Sequence, residues 1–271
     1  MIWIIIIAAI IGTFIAGAWD LFTTEVPDEV PALMITFGLF FWYIFSSLSD
    51  NFALFISLLV GTIVLAFGLI LYKKGHWGGA DAWLLAAIAY MIPVYNNQIF
   101  MIGYIFNLLI IGSLYMVLYV VVLGLKNRYV FKFYKEDLKK NWKIVAGIPT
   151  IFAVFVIVMA FASFYFIGYV NMTPLLYVLL LVAGLVFFWR YGVVIEKNVF
   201  KKKIQAKDLK IGDVLEDSIW VGLEKEDVAK IRALGDEVVI KEGVRFVPAY
   251  AITLIVTLVL GNLFAFIPSL F

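Results

Sequence analysis

Long apolar runs separated by short polar loops dominate this sequence of 271 residues. A bilayer core about 30 Å thick takes roughly 20 apolar residues to cross as one helix. Eight runs reach or approach that length, at residues 2–19, 32–48, 52–72, 82–95, 98–124, 145–170, 174–194 and 249–271. Hydrophobic residues make up 65% of the chain and charged residues 15%, too little polar surface for a water-soluble protein of this size. The pattern predicts an all-α polytopic membrane protein with about eight transmembrane helices.

The basic residues are segregated along the chain. If the N-terminus lies outside the cell, the inner loops are residues 20–31, 73–81, 125–144 and 195–248. All 21 Lys and Arg residues then fall in those loops or at their edges, with only Arg190 inside a helix end. Because Lys and Arg are retained on the cytoplasmic side, we predict a multi-pass protein of the cell membrane with its N-terminus outside.

The second half of the chain divides into four segments. Residues 125–144 predict a basic interfacial amphipathic helix, since aromatic and apolar side chains recur at helical spacing while lysines take another face. Residues 145–195 predict an additional transmembrane hairpin. Residues 196–248 predict a small cytoplasmic α+β insert, with a strand near Asp213–Leu215 and a helix over Glu224–Leu234. Residues 249–271 predict a C-terminal transmembrane helix.

Two aspartates lie where apolar runs meet inner loops. Asp20 follows the first run and Asp81 precedes the fourth, so the charge pattern puts both on one side of the membrane. Two carboxyl groups held close together at low dielectric cannot both ionise, so they share one proton and titrate as a unit. The ionised member could take a proton from water while the protonated member polarises a carbonyl. The alternative is that Asp20 merely ends one helix and Asp81 caps the next.

Other chemistries are excluded or disfavoured by composition. The chain has no cysteine, which excludes disulfides, thiol catalysis and zinc–thiolate sites. His76 is its single histidine, which excludes a multi-histidine metal site and argues strongly against a Ser-His-Asp triad. We therefore expect neither a metal nor a cofactor.

Three stretches of the sequence carry a resemblance to a known family. The segment Asp20-Leu-Phe-Thr-Thr-Glu-Val-Pro-Asp28, followed by Gly78-Gly79-Ala80-Asp81, resembles the GxGD aspartyl peptidases that process prepilins and archaeal preflagellins. The stretch Ile240–Tyr250 is similar to the archaeal branch of that family. Ala80 stands where the family has its second fixed glycine, and Trp83 stands where a lysine is common.

The resemblance implies an intramembrane aspartyl endopeptidase that removes short basic leader peptides from prepilin-like or preflagellin-like precursors at the cytoplasmic membrane face. Asp20 and Asp81 would be the catalytic pair, within a membrane catalytic core of residues 1–124. Gly78 and Gly79 would let the substrate backbone approach closely. The acidic residues Glu25, Asp28 and Glu29 would attract the basic leader. Expected partners are these precursors and membrane lipid, not nucleic acid; the sequence leaves the oligomeric state open.

Three alternatives accompany this prediction. The acidic residues near Asp20 could be solvated loop charges, and the two glycines a plain loop-to-helix turn. The chain could instead be a proton-coupled transporter with Asp20 and Asp81 as relay groups, although the sequence shows neither internal inverted repeats nor acids near mid-membrane. It could also be a catalytically inactive homologue that only binds precursors, since Ala80 and Trp83 depart from the family pattern.

Overall fold

The structure, a computed structural model, describes residues 2–49, 51–75, 77–170, 172–216, 222–235 and 237–263. His76 and the end of the last predicted span, residues 264–271, lie outside the described residues. The chain divides into two compact units. The first unit comprises residues 1–118 and 204–271, and the second comprises residues 119–203.

The protein is mostly helical. The helices are α1 Ile2–Thr23, α2 Glu29–Ser49, α3 Ala53–Lys73, α4 Gly79–Met91, α5 Phe100–Lys126, α6 Val130–Lys140, α7 Trp142–Ile167, α8 Met172–Ile195, α9 Lys225–Leu234 and α10 Pro248–Leu260. The strands are β1 Val94–Tyr95, β2 Gln98–Ile99, β3 Lys201–Gln205, β4 Val214–Leu215 and β5 Glu237–Lys241. A π-helical turn, Glu196–Phe200, follows α8, and a 3₁₀ turn, Ala206–Asp208, follows β3.

Within the described residues, six helices are long and apolar enough to cross a membrane: α1, α2, α3, α5, α7 and α8. These helices confirm the prediction of a multi-pass membrane protein. The count of eight spans is not confirmed, because α4 and α10 each contain 13 residues. At 1.5 Å per residue such a helix is roughly 20 Å long, shorter than the hydrocarbon core.

Helix α4 forms the centre of the first unit. Its residues from Leu84 to Met91 are all buried, because α2 and α3 pack closely against it. Glycines on α3 make this approach possible: a Cβ added at Gly61 would lie 2.3 Å from the ring of Tyr90. One added at Gly68 would lie 2.9 Å from the Cβ of Ala82. Small residues of this kind let helix backbones approach one another.

Side chains from two neighbouring helices satisfy the C-terminal end of α4. The hydroxyl of Ser57 donates to the carbonyl of Tyr90 at 2.7 Å, and the indole N–H of Trp42 donates to the carbonyl of Met91 at 3.1 Å. The last carbonyls of any helix lack partners within it, and burying them unpaired is costly. These two hydrogen bonds allow a short helix to end inside the protein.

A short β-hairpin joins α4 to α5. Strands β1 and β2 pair antiparallel, with Val94 opposite Ile99. The turn residues Asn96 and Asn97 have φ values of 50° and 60°. Asparagine tolerates this left-handed backbone, which tight hairpin turns require.

The C-terminal part of the first unit contains a small sheet, in the region where the sequence predicted one strand and one helix. Strands β4 and β5 pair antiparallel, with Leu215 opposite Ile240. They pack with α9 around a small core of Leu209, Val228 and Ile240. The predicted strand at 213–215 and helix at 224–234 correspond to β4 and α9. The cytoplasmic location of this region remains a prediction.

In the second unit, α6 and α8 are joined by an ion pair. The guanidinium of Arg190 donates through Nε to Oδ2 of Asp137 at 2.8 Å and through Nη2 to Oδ1. The hydroxyl of Tyr134 donates to the carbonyl of Phe187 at 3.0 Å. Arg190, the one basic residue inside a predicted span, is thus neutralised by an acid from α6. The predicted domain boundaries, and a position of α6 in the headgroup region, remain predictions.

Candidate active site

Asp20 lies on the buried face of α1. The side chains on this face are mainly small and recur at helical spacing: Ala9, Thr13, Ala16 and Gly17. Asp20 itself is 4% exposed. The helix continues to Thr23, so Asp20 lies in its last turns instead of following its end. The buried face therefore carries one acidic side chain into the first unit.

The start of α10 provides a hydrogen-bond partner for Asp20. The main-chain N–H of Val247 donates to Oδ2 of Asp20 at 3.0 Å, and this bond is buried. The first N–H groups of a helix lack intrahelical acceptors, and a helix N-terminus favours a negative charge. Close packing makes the contact possible, since a Cβ added at Gly17 would lie 3.2 Å from Cα of Pro248.

Asp81 is the third residue of α4 and is partly buried. The N–H of Gly78 donates to its Oδ2 at 3.3 Å. Gly78 is the N-cap residue, so Asp81 contributes to the cap from inside the helix, whereas the alternative interpretation made Asp81 itself the N-cap. Ala80 lies in the first turn of α4 with ordinary helical backbone, so alanine is accommodated where the family has glycine. Trp83 is 41% exposed and does not line the cavity described next.

Both aspartates line one cavity of about 590 Å³ in the first unit. Asp20 enters from α1 and Asp81 from the start of α4, and the two carboxyl groups lie within electrostatic range of each other. Helix capping alone does not account for this convergence. Two interacting carboxyl groups beside a cavity have the chemistry needed to activate water for hydrolysis.

Two further side chains act on this pair. The hydroxyl of Tyr250 donates to the carbonyl of Asp81 at 3.4 Å and also reaches its carboxyl group. Arg245 lies within electrostatic range of Asp20. Within the described residues, Nε of Arg245 is buried and has no hydrogen-bond partner. The first turn of α10 therefore supplies a hydroxyl, and the segment before it supplies a positive charge.

Four of the five predicted substrate-binding residues line the cavity. Gly78 and Gly79 contribute backbone beside Asp81, while Glu25 and Asp28 contribute exposed acids from the loop between α1 and α2. Glu29 is exposed at the start of α2 and is not among the lining residues. Substrate binding by these residues remains a prediction.

Part of the cavity wall comes from residues outside the predicted site. This wall comes from the loop before β4, the end of β5 and the residues that follow, and includes Asp213, Lys241, Glu242 and Val247. Gly212 has a φ of 92°, and a Cβ there would lie 3.1 Å from Oε1 of Glu25. The sequence signal for this wall is the stretch Ile240–Tyr250, which is similar to the archaeal branch of the family.

The match to known families falls on the helices that bear the aspartates. The type IV leader peptidase family matches residues 5–125, which include α4 and nearly all of α1 and α5. This part of the chain is similar to that family. The match confirms the resemblance inferred from the motifs around Asp20 and Asp81. Both motifs lie within residues 5–125.

One similar protein is the preflagellin peptidase of Methanocaldococcus jannaschii, which is 35% identical over 109 residues. The aligned part covers 40% of this chain and 46% of that protein, so the chain spans about half the length of the relative it matches. No solved structure matches the chain. The leader peptidase match ends before the cavity wall that includes Gly212, Gly222 and Val247.

Proposed function

We propose that this protein is an intramembrane aspartyl endopeptidase that removes short basic leader peptides from pilin-like or flagellin-like precursors. One observation carries the proposal: Asp20 and Asp81 line the same cavity, inside the segment that matches the leader peptidase family. The similarity to a preflagellin peptidase supports the substrate class.

The two carboxyl groups have different roles in hydrolysis, one as general base and the other as hydrogen-bond donor. The ionised carboxylate takes a proton from water, and the water oxygen bonds to the scissile carbonyl carbon. The protonated carboxyl donates a hydrogen bond to the carbonyl oxygen and stabilises the charge that develops there. When the C–N bond breaks, the leaving nitrogen receives a proton from the pair. Water is thereby divided between the new carboxyl group and the new amine.

The walls of the cavity suit a basic, extended substrate. Glu25 and Asp28 lie at the surface beside Asp20, and an acidic surface concentrates positively charged ligands. Gly78 and Gly79 carry no side chain that would keep a peptide backbone away from Asp81. We therefore assign the leader to this side of the cavity.

The charge pattern supports a cytoplasmic active site. Lys73 and Lys74 precede Asp81, and most of the remaining Lys and Arg residues occupy loops on the same side in the predicted topology. The N-terminus would then lie outside. The leader would enter from the cytoplasm while the apolar stretch of the precursor stays in the bilayer.

Cleavage of a precursor tests the proposal. The full-length protein, reconstituted in lipid vesicles, is incubated with a membrane-anchored precursor that carries a basic leader, and the products are identified by mass spectrometry. We expect the wild type to release the leader, and Asp20→Asn or Asp81→Asn to abolish release without loss of membrane insertion. Asp208→Asn is a matched control, because Asp208 is exposed and lies outside the cavity.

The same preparation separates the alternatives. Full activity of either cavity variant would contradict the aspartyl mechanism. Proton flux into the vesicles that depends on Asp20 and Asp81, without cleavage, would identify a transporter. Binding of the precursor without cleavage by the wild type would identify an inactive homologue.

A further inference from the structure

One short segment contacts both aspartates. The Arg245–Tyr250 segment links the end of β5 to the first turn of α10. Its Val247 N–H donates to Oδ2 of Asp20, and its Tyr250 hydroxyl donates to the carbonyl of Asp81 and reaches the carboxyl group. Residues three apart in a helical turn lie on one face. A single helical turn can therefore hold Asp20 of α1 and Asp81 of α4 at a set distance from each other.

The contact with Asp20 depends on backbone placement. A main-chain N–H cannot compensate by changing rotamer, so the 3.0 Å bond requires α10 to begin close to α1. Gly17, one turn before Asp20, makes that distance possible, because a Cβ there would lie 3.2 Å from Cα of Pro248. A methyl group at residue 17 would therefore require α1 and α10 to move apart by a few tenths of an ångström.

The contact with Asp81 depends on one buried hydroxyl. Tyr250 is 0% exposed, and a buried hydroxyl without a partner is destabilising. Its own carbonyl accepts a 3.0 Å hydrogen bond from Tyr104, which is also fully buried. The Tyr250 main chain is therefore held by Tyr104, and its hydroxyl is directed toward Asp81.

The segment is anchored on α5 at its other end. The hydroxyl of Tyr115 donates to the carbonyl of Arg245 at 2.7 Å. The ring of Phe246 packs edge-on against Tyr115 and against Tyr250, with centroid separations of 6.3 Å and 5.8 Å. These contacts place the segment before any substrate is present.

We propose that the Arg245–Tyr250 segment is the positioning element of the catalytic pair, with Tyr250 and the Gly17–Pro248 contact as the parts that set the separation of the two carboxyl groups. The proposal rests on the proposed function for its catalytic meaning. Small displacements of a catalytic group can lower a rate about a hundredfold. Tyr250 and Gly17 are positioning residues and do not themselves transfer protons.

Steady-state kinetics on the full-length enzyme test the Tyr250 contact. Tyr250→Phe removes the hydroxyl and keeps the ring, and we expect kcat to fall at least about tenfold with KM little changed, as for an interaction that matters in the transition state. Tyr90→Phe is the matched control. It removes the hydroxyl of a different buried tyrosine, on α4, which is hydrogen-bonded to Thr62 and not to an aspartate. Equal kcat values for the two variants would overturn the assignment of Tyr250.

A glycine pair tests the helix contact. Gly17→Ala should lower kcat because the added methyl group separates α1 from α10. Gly184→Ala, in a membrane-spanning helix where a Cβ meets nothing within 4 Å, should leave kcat unchanged. A Gly17→Ala enzyme with wild-type kcat would overturn the role of the helix contact.

A measurement that needs no activity distinguishes failure of this proposal from failure of the proposed function. The natural chain has no cysteine, so Asp20→Cys combined with Asp81→Cys gives a protein with two thiols only. A short bifunctional thiol reagent should link them less efficiently when Gly17→Ala or Tyr250→Phe is added than when Gly184→Ala or Tyr90→Phe is added. Equal cross-linking in all four variants of the double-cysteine protein would overturn the positioning role, even if the wild-type enzyme cleaves the precursor. A reduced yield would support that role even if no precursor is cleaved.

Discussion

Gly78 and Asp81 are hydrogen-bonded at the start of α4, where the N–H of Gly78 donates to Oδ2 of Asp81 at 3.3 Å. A Cβ on residue 78 would lie 3.1 Å from that same oxygen. Gly78 has φ −72° and ψ 153°, a backbone that any residue can adopt. Any side chain at residue 78 would therefore press on the Asp81 carboxylate, although the backbone itself does not require glycine.

Gly78→Ala should impair cleavage by displacing the Asp81 carboxylate. We expect kcat to fall by about tenfold or more, because a misplaced catalytic group loses the geometry of the reaction. The variant is assayed for kcat against Gly147→Ala, whose added Cβ meets nothing within 4 Å. An unchanged kcat in Gly78→Ala would show that the cap is dispensable.

The rate of cleavage should have a bell-shaped dependence on pH. Hydrolysis requires one carboxyl group of the pair to be ionised and the other protonated, so activity is lost at acid pH when both are protonated and at alkaline pH when both are ionised. The two limbs belong to the pair and not to either residue. Measurement of kcat/KM across the pH range checks this, with Asp208→Asn expected to keep both limbs. A rate that rises steadily with pH would contradict a shared proton.

Removal of the positive charge beside Asp20 should slow cleavage. Arg245 lies within electrostatic range of Asp20, and its charge stabilises the ionised carboxylate. We expect Arg245→Gln to lower kcat/KM about tenfold, which corresponds to about 1.4 kcal/mol. Arg245→Lys should retain most of the activity. Arg128→Gln, which removes an exposed arginine, is the control, and an equal loss in both Gln variants would refute a local effect.

The loop acids should differ in their effect on substrate binding. Glu25 and Asp28 line the cavity and Glu29 does not. Glu25→Gln and Asp28→Asn should raise KM for a precursor with a basic leader, and the increase should shrink at high salt as surface charges are screened. Glu29→Gln should have a smaller effect. If all three variants bind the basic leader like the wild type, these acids are only solvated loop charges.

The buried end of α4 should control stability. Ser57→Ala leaves the carbonyl of Tyr90 without its hydroxyl donor, and an unsatisfied buried group costs about 1–3 kcal/mol. Ser47→Ala removes an exposed hydroxyl that bonds within its own helix, so it should cost much less. Thermal unfolding of both variants in the same detergent compares them. Equal midpoints would mean that the Tyr90 carbonyl finds another partner.

The sequence alone predicted the features that depend on local composition. The apolar runs predicted a multi-pass helical protein because lipid demands long uncharged helices. The motifs around Asp20 and Asp81 predicted the family, since short motifs are properties of adjacent residues. The strand at 213–215 and the helix at 224–234 followed from local propensity as well.

Only the tertiary structure decided how those elements meet. Val247 and Tyr250 act on Asp20 and Asp81 across more than 160 residues of sequence, and no local pattern encodes such a pairing. Helix α4 looked like a short span, but glycines on α3 and hydrogen bonds from Ser57 and Trp42 make it the buried centre of the first unit. Periodicity specifies which face of a helix is apolar, whereas packing between distant segments determines what that face meets.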